Sequence, residues 1–256
     1  MTATTHGPPK AALVTGGARR IGRAIVEALA EAGYAVAIHC RGSRLEADEL
    51  AEAIATAGGT ACVVAGDLAE PADVARLVPM AAAAIGELTL LVNNAAIFEE
   101  DAVAALQPAR FDRHIAVNLR APLLLARDFA AQASSHGSIV NVIDQRVLRP
   151  DPRCFSYALT KSALWSATRS MAQAFAPNLR VNGVAPGPTF PNPRDGEAGL
   201  AAEAAATLLG ERVRPRAIAE AVLYLAAAEH VTGQLIAVDS GQHLDWLTPD
   251  VLATMR

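Results

Sequence analysis

Short β-branched or apolar runs alternate along the chain with longer segments whose apolar positions recur at helical spacing. The runs are Ala11 to Thr15, Tyr34 to His39, Ala61 to Ala65, Leu88 to Asn93, Ser138 to Ile143, Arg180 to Val184 and Leu235 to Val238. Each has the length of a strand, and the intervening segments are long enough for crossover helices. Strands separated by helices imply repeated right-handed βαβ units, and therefore a parallel sheet covered by helices on both faces. The expected fold class is α/β, a single doubly wound sheet of about seven strands.

The helix signals agree with this pattern. Ile21 to Ala32 carries good helix formers and stops at Gly33, where a left-handed cap is cheap. A second helix is predicted from about Ser43 to Ala57, stopped by Gly58 and Gly59. A third starts after Pro71, whose missing N–H costs little in a first turn. Two longer helices follow, near Pro108 to Ser134 and Phe155 to Ala176. Between Gly187 and Gly210 the pattern breaks: Pro188, Pro191 and Pro193 precede Asp195-Gly196, and an alanine-rich run spans Leu200 to Leu209. This stretch reads as a lid over a ligand, or as a plain surface excursion with one short helix.

The 256 residues allow one large domain or two small ones, and the lack of a linker favours one, over residues 10–256. Hydrophobic residues make up 52% and aromatics only 4%, so Ala, Val and Leu must fill the core. The net charge of −4, with arginines spread along the chain, argues against a nucleic-acid partner. Cys40, Cys62 and Cys154 lack metal-ligand spacing, and they suit inert thiols in a reducing compartment. Residues 1–9 read as a polar tail without the apolar stretch of an export signal, and no run is apolar for long enough to span a membrane. A soluble cytoplasmic protein acting on a small molecule is expected.

Chemistry enters with the first turn. Thr15-Gly16-Gly17-Ala18-Arg19-Arg20-Ile21-Gly22 lies between a strand and a helix, the context of a Rossmann-type dinucleotide loop. Glycine there lets the backbone approach a pyrophosphate at a helix N-terminus. The second strand ends in His39-Cys40-Arg41-Gly42-Ser43-Arg44 with no carboxylate for a ribose diol, so NADP(H) suits it better than NAD. Arg19, Arg41 and Ser43 are the candidates for the 2′-phosphate, against the plainer reading of solvated surface arginines. Tyr157 and Lys161 are one helical turn apart, so both project from one face. An ammonium there is expected to favour the phenolate and lower the tyrosine pKa.

With these motifs the chain resembles the short-chain dehydrogenases/reductases from about Lys10 to Leu244. The resemblance rests on the Thr15 to Gly22 loop, Asp67-Leu68, Asn93-Asn94-Ala95-Ala96, Asn118, Tyr157-x-x-x-Lys161, Pro186-Gly187 and Thr232-Gly233-Gln234. It implies that Asp67 and Leu68 flank the adenine and that Asn94, with Ala95 and Ala96, lies along the cofactor. It also implies that Gly16, Ile21, Gly22, His39, Pro186 and Gly187 contact the cofactor, that Asn118 holds a water relaying protons to Lys161, and that the chain is a homotetramer. Whether the tail from Gln242 to Trp246 covers a neighbouring subunit's pocket or packs locally stays open.

Two departures narrow the resemblance. Arg20 replaces the usual third loop glycine, and Asp144 replaces the usual serine thirteen residues before the tyrosine. Both features are similar to those of pteridine and dihydromonapterin reductases. This branch implies that Arg20 bridges cofactor phosphate and substrate, that Phe98 stacks a flat pterin, and that Asp144 and Tyr157 deliver the proton. A carboxylate accepts hydrogen bonds from amino and ring N–H groups, where a serine suits a ketone oxygen. The leading expectation is an NADPH-dependent reductase of a pterin C=N bond. The alternatives are a carbonyl reductase of ketones or 3-oxoacyl substrates, and a non-catalytic NADP(H)-binding regulator.

Overall fold

The computed structural model describes residues 10–133, 136–192, 195–247, 251 and 253. Its strands are β1 (Ala11–Val14), β2 (Ala35–Cys40), β3 (Ala61–Ala65), β4 (Leu90–Asn93), β5 (Gly137–Val142), β6 (Leu179–Pro186) and β7 (Leu235–Val238). They form one parallel sheet in the order β3-β2-β1-β4-β5-β6-β7. From β1 the chain winds outward through β2 and β3, then returns to the other side of β1 through β4. That reversal opens a crevice at the carboxyl ends of β1 and β4, where ligands bind in open α/β sheets. Val14 is level with both Ile38 and Val92, so Thr15, His39 and Asn93 emerge together at its rim.

Both faces of the sheet are covered, which is why β1 is apolar throughout instead of alternating. In β1, Ala12 and Val14 join the core made with Ile25, Leu29, Leu50, Ile218, Val222 and Leu225. Those residues come from α1 (Arg20–Glu31), α2 (Arg44–Thr56) and α8 (Pro215–Ala227). Ala11 and Leu13 point the other way, into a core with Leu77, Leu125, Phe129 and Met171. These lie on α3 (Pro71–Ile85), α5 (Ala121–Gln132) and α6 (Phe155–Ala174).

The helix expected near Pro108 to Ser134 is three pieces: α4 (Pro108–His114), a π-helical turn at Ile115–Arg120, and α5. Ser134 lies outside the described residues. Pro122 in the first turn of α5 has no N–H to continue the regular ladder. The wide turn buries Asn118 on the side facing α6, and π-turns of this kind recur at functional sites. α8 was not recognised in the sequence, although Pro215 in its first turn is a standard start signal. In the proline-rich stretch, α7 spans Gly196–Ala205, earlier than the alanine run suggested.

Arg180 closes the carboxyl end of α8 against the sheet. It donates to the carbonyls of Leu225 (2.6 Å), Ala226 (2.7 Å) and, more weakly, Val231 (3.4 Å). These carbonyls have no helical partners, and a cation favours a helix C-terminus. Arg180→Met should therefore lower unfolding stability by about 2 kcal/mol, read by urea denaturation; an unchanged midpoint would refute this bracing.

Candidate active site

The glycine loop is locked from beneath. Thr15 Oγ1 donates to Val92 O and accepts from the N–H groups of Asn94 (2.9 Å) and Ala95 (3.0 Å). Asn94 Nδ2 donates to the carbonyls of Thr15 (2.8 Å) and Gly16 (3.2 Å). A Cβ on Gly22 would fall 2.1 Å from Gly16 O and 2.6 Å from Asn94 Nδ2, so only glycine lets α1 approach the loop this closely. The first turn of α1 has neither an acidic residue nor a side-chain cap, leaving its amides for an anion. This close approach of backbone to an uncapped helix start fits a dinucleotide pyrophosphate.

Beside the loop is a cleft of about 430 Å³. It is lined by Gly16, Arg19, His39, Arg41, Ser43, Asp67, Leu68, Ala95 and Ala96, among others. The structure thus gathers the residues expected around the adenosine half of a dinucleotide. Arg19 is paired with Glu46, Arg41 lies 3.7 Å from Asp67, and the Ser43 side chain makes no capping bond to α2. Pro186 and Gly187 lie apart from this cleft, at the carboxyl end of β6, where a Cβ on Gly187 would meet Asp239 Cα at 2.6 Å. Ile21 packs against the core.

His39 has a role its sequence position did not reveal. Its buried ring accepts from Gly16 N–H at Nδ1 (3.1 Å), and its Nε2 bonds Gly66 O (3.1 Å). The ring pins the glycine loop to the third strand's exit and has no nitrogen to spare for a ligand. Burial holds its pKa below the ordinary value, so the folded protein keeps it neutral.

The groups expected to react lie at the ends of β5 and β4 and on α6. Asp144, just past β5, accepts from Tyr157 Oη at 2.9 Å through Oδ2. Lys161 is 2% exposed and donates to Val142 O at 2.7 Å, with Nζ 5.7 Å from the Tyr157 ring centroid. The Phe98 and Tyr157 rings meet in a T-shaped contact, with centroids 4.7 Å apart. Asn118 spends its side chain on Ile97, donating to O and accepting from N–H (both 2.9 Å), and also donates to Thr160 Oγ1 (3.3 Å). That side chain anchors the segment leading to Phe98 and makes no hydrogen bond to Lys161 among the described residues.

The expectation of a lowered tyrosine pKa is corrected. Burial and the facing Asp144 carboxylate hold the Tyr157 phenol well above its ordinary value, so it is protonated and donates to Asp144. Lys161 is itself pushed down to about 8 by burial, against the pull of Asp144. The cation that opposes the rise at Tyr157 is Arg146, and burial together with Asp144 outweighs it.

Sequence reasoning missed two residues. Asp101 caps the start of α6 by accepting from the Ser156 N–H (2.9 Å) and from the Ser156 hydroxyl. Arg146 extends Nη1 to both Asp144 oxygens at 3.4 Å and holds its Cζ 5.5 Å from the Phe98 ring centroid. An arginine two residues beyond the aspartate was the available signal. Arg20 sits at φ +52, the left-handed region that glycine enters freely, which explains the usual glycine there. Its guanidinium lies 5.0 Å from the Phe190 ring centroid and reaches Pro191 O at 3.4 Å. The segment from Gln242 packs on its own chain, with Arg149 bonded to Gln242 O and to Asp245 (2.9 Å).

A parallel sheet in this order carries a tyrosine and a lysine one helical turn apart, and the family match makes the chain an oxidoreductase. Residues 16–243 match the family model described as enoyl-(acyl carrier protein) reductase. The chain belongs to the short-chain dehydrogenase/reductase family. It is 38% identical to cis-4-hydroxycyclohexanecarboxylate dehydrogenase of Sinomonas cyclohexanicum, over 91% of this chain and 96% of that protein. It is 30% identical to the 3-oxoacyl-[acyl-carrier-protein] reductase FabG of Staphylococcus aureus, over 92% and 98%. The crystal structure of FolM alternative dihydrofolate reductase 1 from Brucella canis, complexed with NADP, is 48% identical with a TM-score of 0.88, covering 94% of this chain and 97% of that one. No helix among the described residues is long and apolar enough to cross a membrane.

Two outcomes follow from the titrating groups. Below about pH 6.5 the unfolded chain protonates His39 while the folded chain resists, so stability falls as pH drops. The difference in Tm between wild type and His39→Gln should therefore shrink from pH 7 to 5; a pH-independent difference refutes the assignment. Lys161 loses its charge as pH rises through about 8, and kcat/KM should decline over that range. A flat profile would mean that its charge does not matter.

Proposed function

We propose that the chain is an NADPH-dependent reductase of a C=N bond in a pterin, of the dihydropterin or dihydromonapterin kind. The observation that carries this reading is the Tyr157 Oη to Asp144 Oδ2 hydrogen bond beside Phe98, where a serine is usual. Arg19, Arg41 and Ser43 would hold the 2′-phosphate, and the uncapped start of α1 the pyrophosphate. When bound, the nicotinamide supplies a hydride to the substrate carbon. Tyr157 donates its hydroxyl proton to the substrate nitrogen, Asp144 accepts N–H groups along the heterocycle, and Phe98 offers a flat apolar wall. Arg20, against Phe190 and Pro191, ties the glycine loop to a segment that closes over the substrate as a lid. The likeness to a Brucella protein described as an alternative dihydrofolate reductase supports the heterocyclic substrate.

The second reading is a carbonyl reductase of the same fold, favoured by the 3-oxoacyl reductase among the relatives. One assay separates the two. NADPH oxidation is followed with dihydrobiopterin, dihydromonapterin and a panel of ketones, with NADH as control. Wild type should reduce the pterins and leave the ketones untouched, and Tyr157→Phe should lower kcat at least about 100-fold. Asp144→Ser should lower pterin turnover about 10-fold or more. Ketone turnover without pterin turnover would sink the pterin reading and keep the reductase; binding of NADPH with no turnover of any of them would leave the substrate to be found and favour the regulator.

A further inference from the structure

The exchange of serine for aspartate at position 144 creates a charge problem. When the Tyr157 O–H bond breaks and the proton forms an N–H or O–H bond on the substrate, the electron pair stays on Oη. A phenolate then stands 2.9 Å from the Asp144 carboxylate. Two anions that close in a recess of low dielectric repel strongly, and a single cation compensates only one of them. A serine would not raise this difficulty. Lys161, buried in α6 near the phenol ring, is the cation for the phenolate. The carboxylate needs another.

Arg146 is placed to meet that need. Its backbone N–H donates to Asp144 Oδ1 at 2.8 Å, and its Nη1 lies 3.4 Å from each carboxylate oxygen. Its side chain is mostly buried, Asp151 approaches Nε no nearer than 3.9 Å, and Nε has no hydrogen-bond partner. This is unlike Arg180, which spends its donors on carbonyls and braces a helix. A buried guanidinium held by long contacts and left partly unsatisfied is a poor brace, and such departures gather at functional sites. The other charge whose field reaches Arg146 is Glu203 on α7, and the neighbouring Cys154 thiol, pushed up to about 11 by burial, is neutral. Asp151 is already engaged by Arg153, at 2.7 Å.

We propose that Arg146 is a positioning residue for proton delivery: its guanidinium offsets the Asp144 carboxylate so that Tyr157 can give up its proton while Lys161 meets the phenolate. The site balances two anions with two cations, and the phenolate is afterwards reprotonated from solvent. The aspartate-for-serine exchange and Arg146 form one functional unit. This inference rests on Tyr157 being the proton donor in the reading above, and not on the substrate being a pterin.

The test is a double-mutant cycle of wild type, Arg146→Ala, Asp144→Ser and the double variant. It is read as kcat with saturating NADPH and whichever of dihydrobiopterin or a panel ketone the wild type reduces. Arg146→Ala should lower kcat roughly 10- to 100-fold with the KM for NADPH unchanged. In the Asp144→Ser background the same change should cost less than about 3-fold. Guanidinium ion added to Arg146→Ala should restore part of the rate where urea does not, and Arg146→Lys should fall between the two. Equal losses in both backgrounds, or no loss, overturn the proposal. Should Asp144→Ser be too slow to follow, the guanidinium arm on Arg146→Ala decides: recovery supports the proposal, and a rate unmoved by guanidinium overturns it. Should Arg146→Ala fail to fold, Arg146→Lys and Arg146→Met are compared instead: a rate kept better by Lys than by Met supports the proposal, and equal losses overturn it. Tyr157→Phe is run in parallel; if it keeps full activity, the proton-donor reading fails instead.

Discussion

Much of this structure turns on a lysine buried where charge is expensive. Lys161 lies between α6 and the end of β5, bonded to Val142 O, and burial lowers its pKa to about 8. An ammonium in such a place costs stability unless it is hydrogen-bonded and faces opposite charge. Docking Lys161 on β5 draws α6 across the strand's carboxyl end and sets Tyr157 over Asp144. The capping of α6 by Asp101 and the π-helical turn that carries Asn118 hold this arrangement from the other side. The energy stored in one unfavourable burial is offset by the surrounding network, a common arrangement where chemistry is done.

The glycine loop shows the same trade at the nucleotide end. Arg20 holds a left-handed backbone that costs a side-chain-bearing residue energy, and in return its guanidinium reaches Phe190 and Pro191. The loop tolerates this because Thr15, Asn94 and His39 hold its neighbours from below with hydrogen bonds that leave it little freedom. Preorganisation of this kind spares the cost of ordering the loop when a dinucleotide binds.

Phe98, Tyr157, Asp144 and Arg146 form a continuous run of contacts: ring edge to ring, hydroxyl to carboxylate, carboxylate to guanidinium, and guanidinium back over the first ring. A change at one member is felt by the others, so substitutions within this run will not be additive. The same closure sets the protonation of the site, because burial and the carboxylate that touches the phenol raise its pKa against the pull of Arg146.

The alternation of apolar runs and helical patterns was enough to determine the doubly wound sheet, since strands buried on both faces and helices buried on one write different periods into the chain. The Tyr157 and Lys161 pair and the glycine loop were legible for a similar reason: their geometry is local, set within one helical turn or one strand-to-helix junction. Tertiary structure decided what depends on distant segments meeting. It used both ring nitrogens of His39 to brace Gly16 and Gly66, broke the helix near Pro122 to bury Asn118, and brought Arg146 onto Asp144 and Phe98 together. It also reversed the expected pKa of Tyr157, because spacing along a helix reports neither how deeply the phenol is buried nor which group makes its hydrogen bond, and burial together with the aspartate at 2.9 Å raises it.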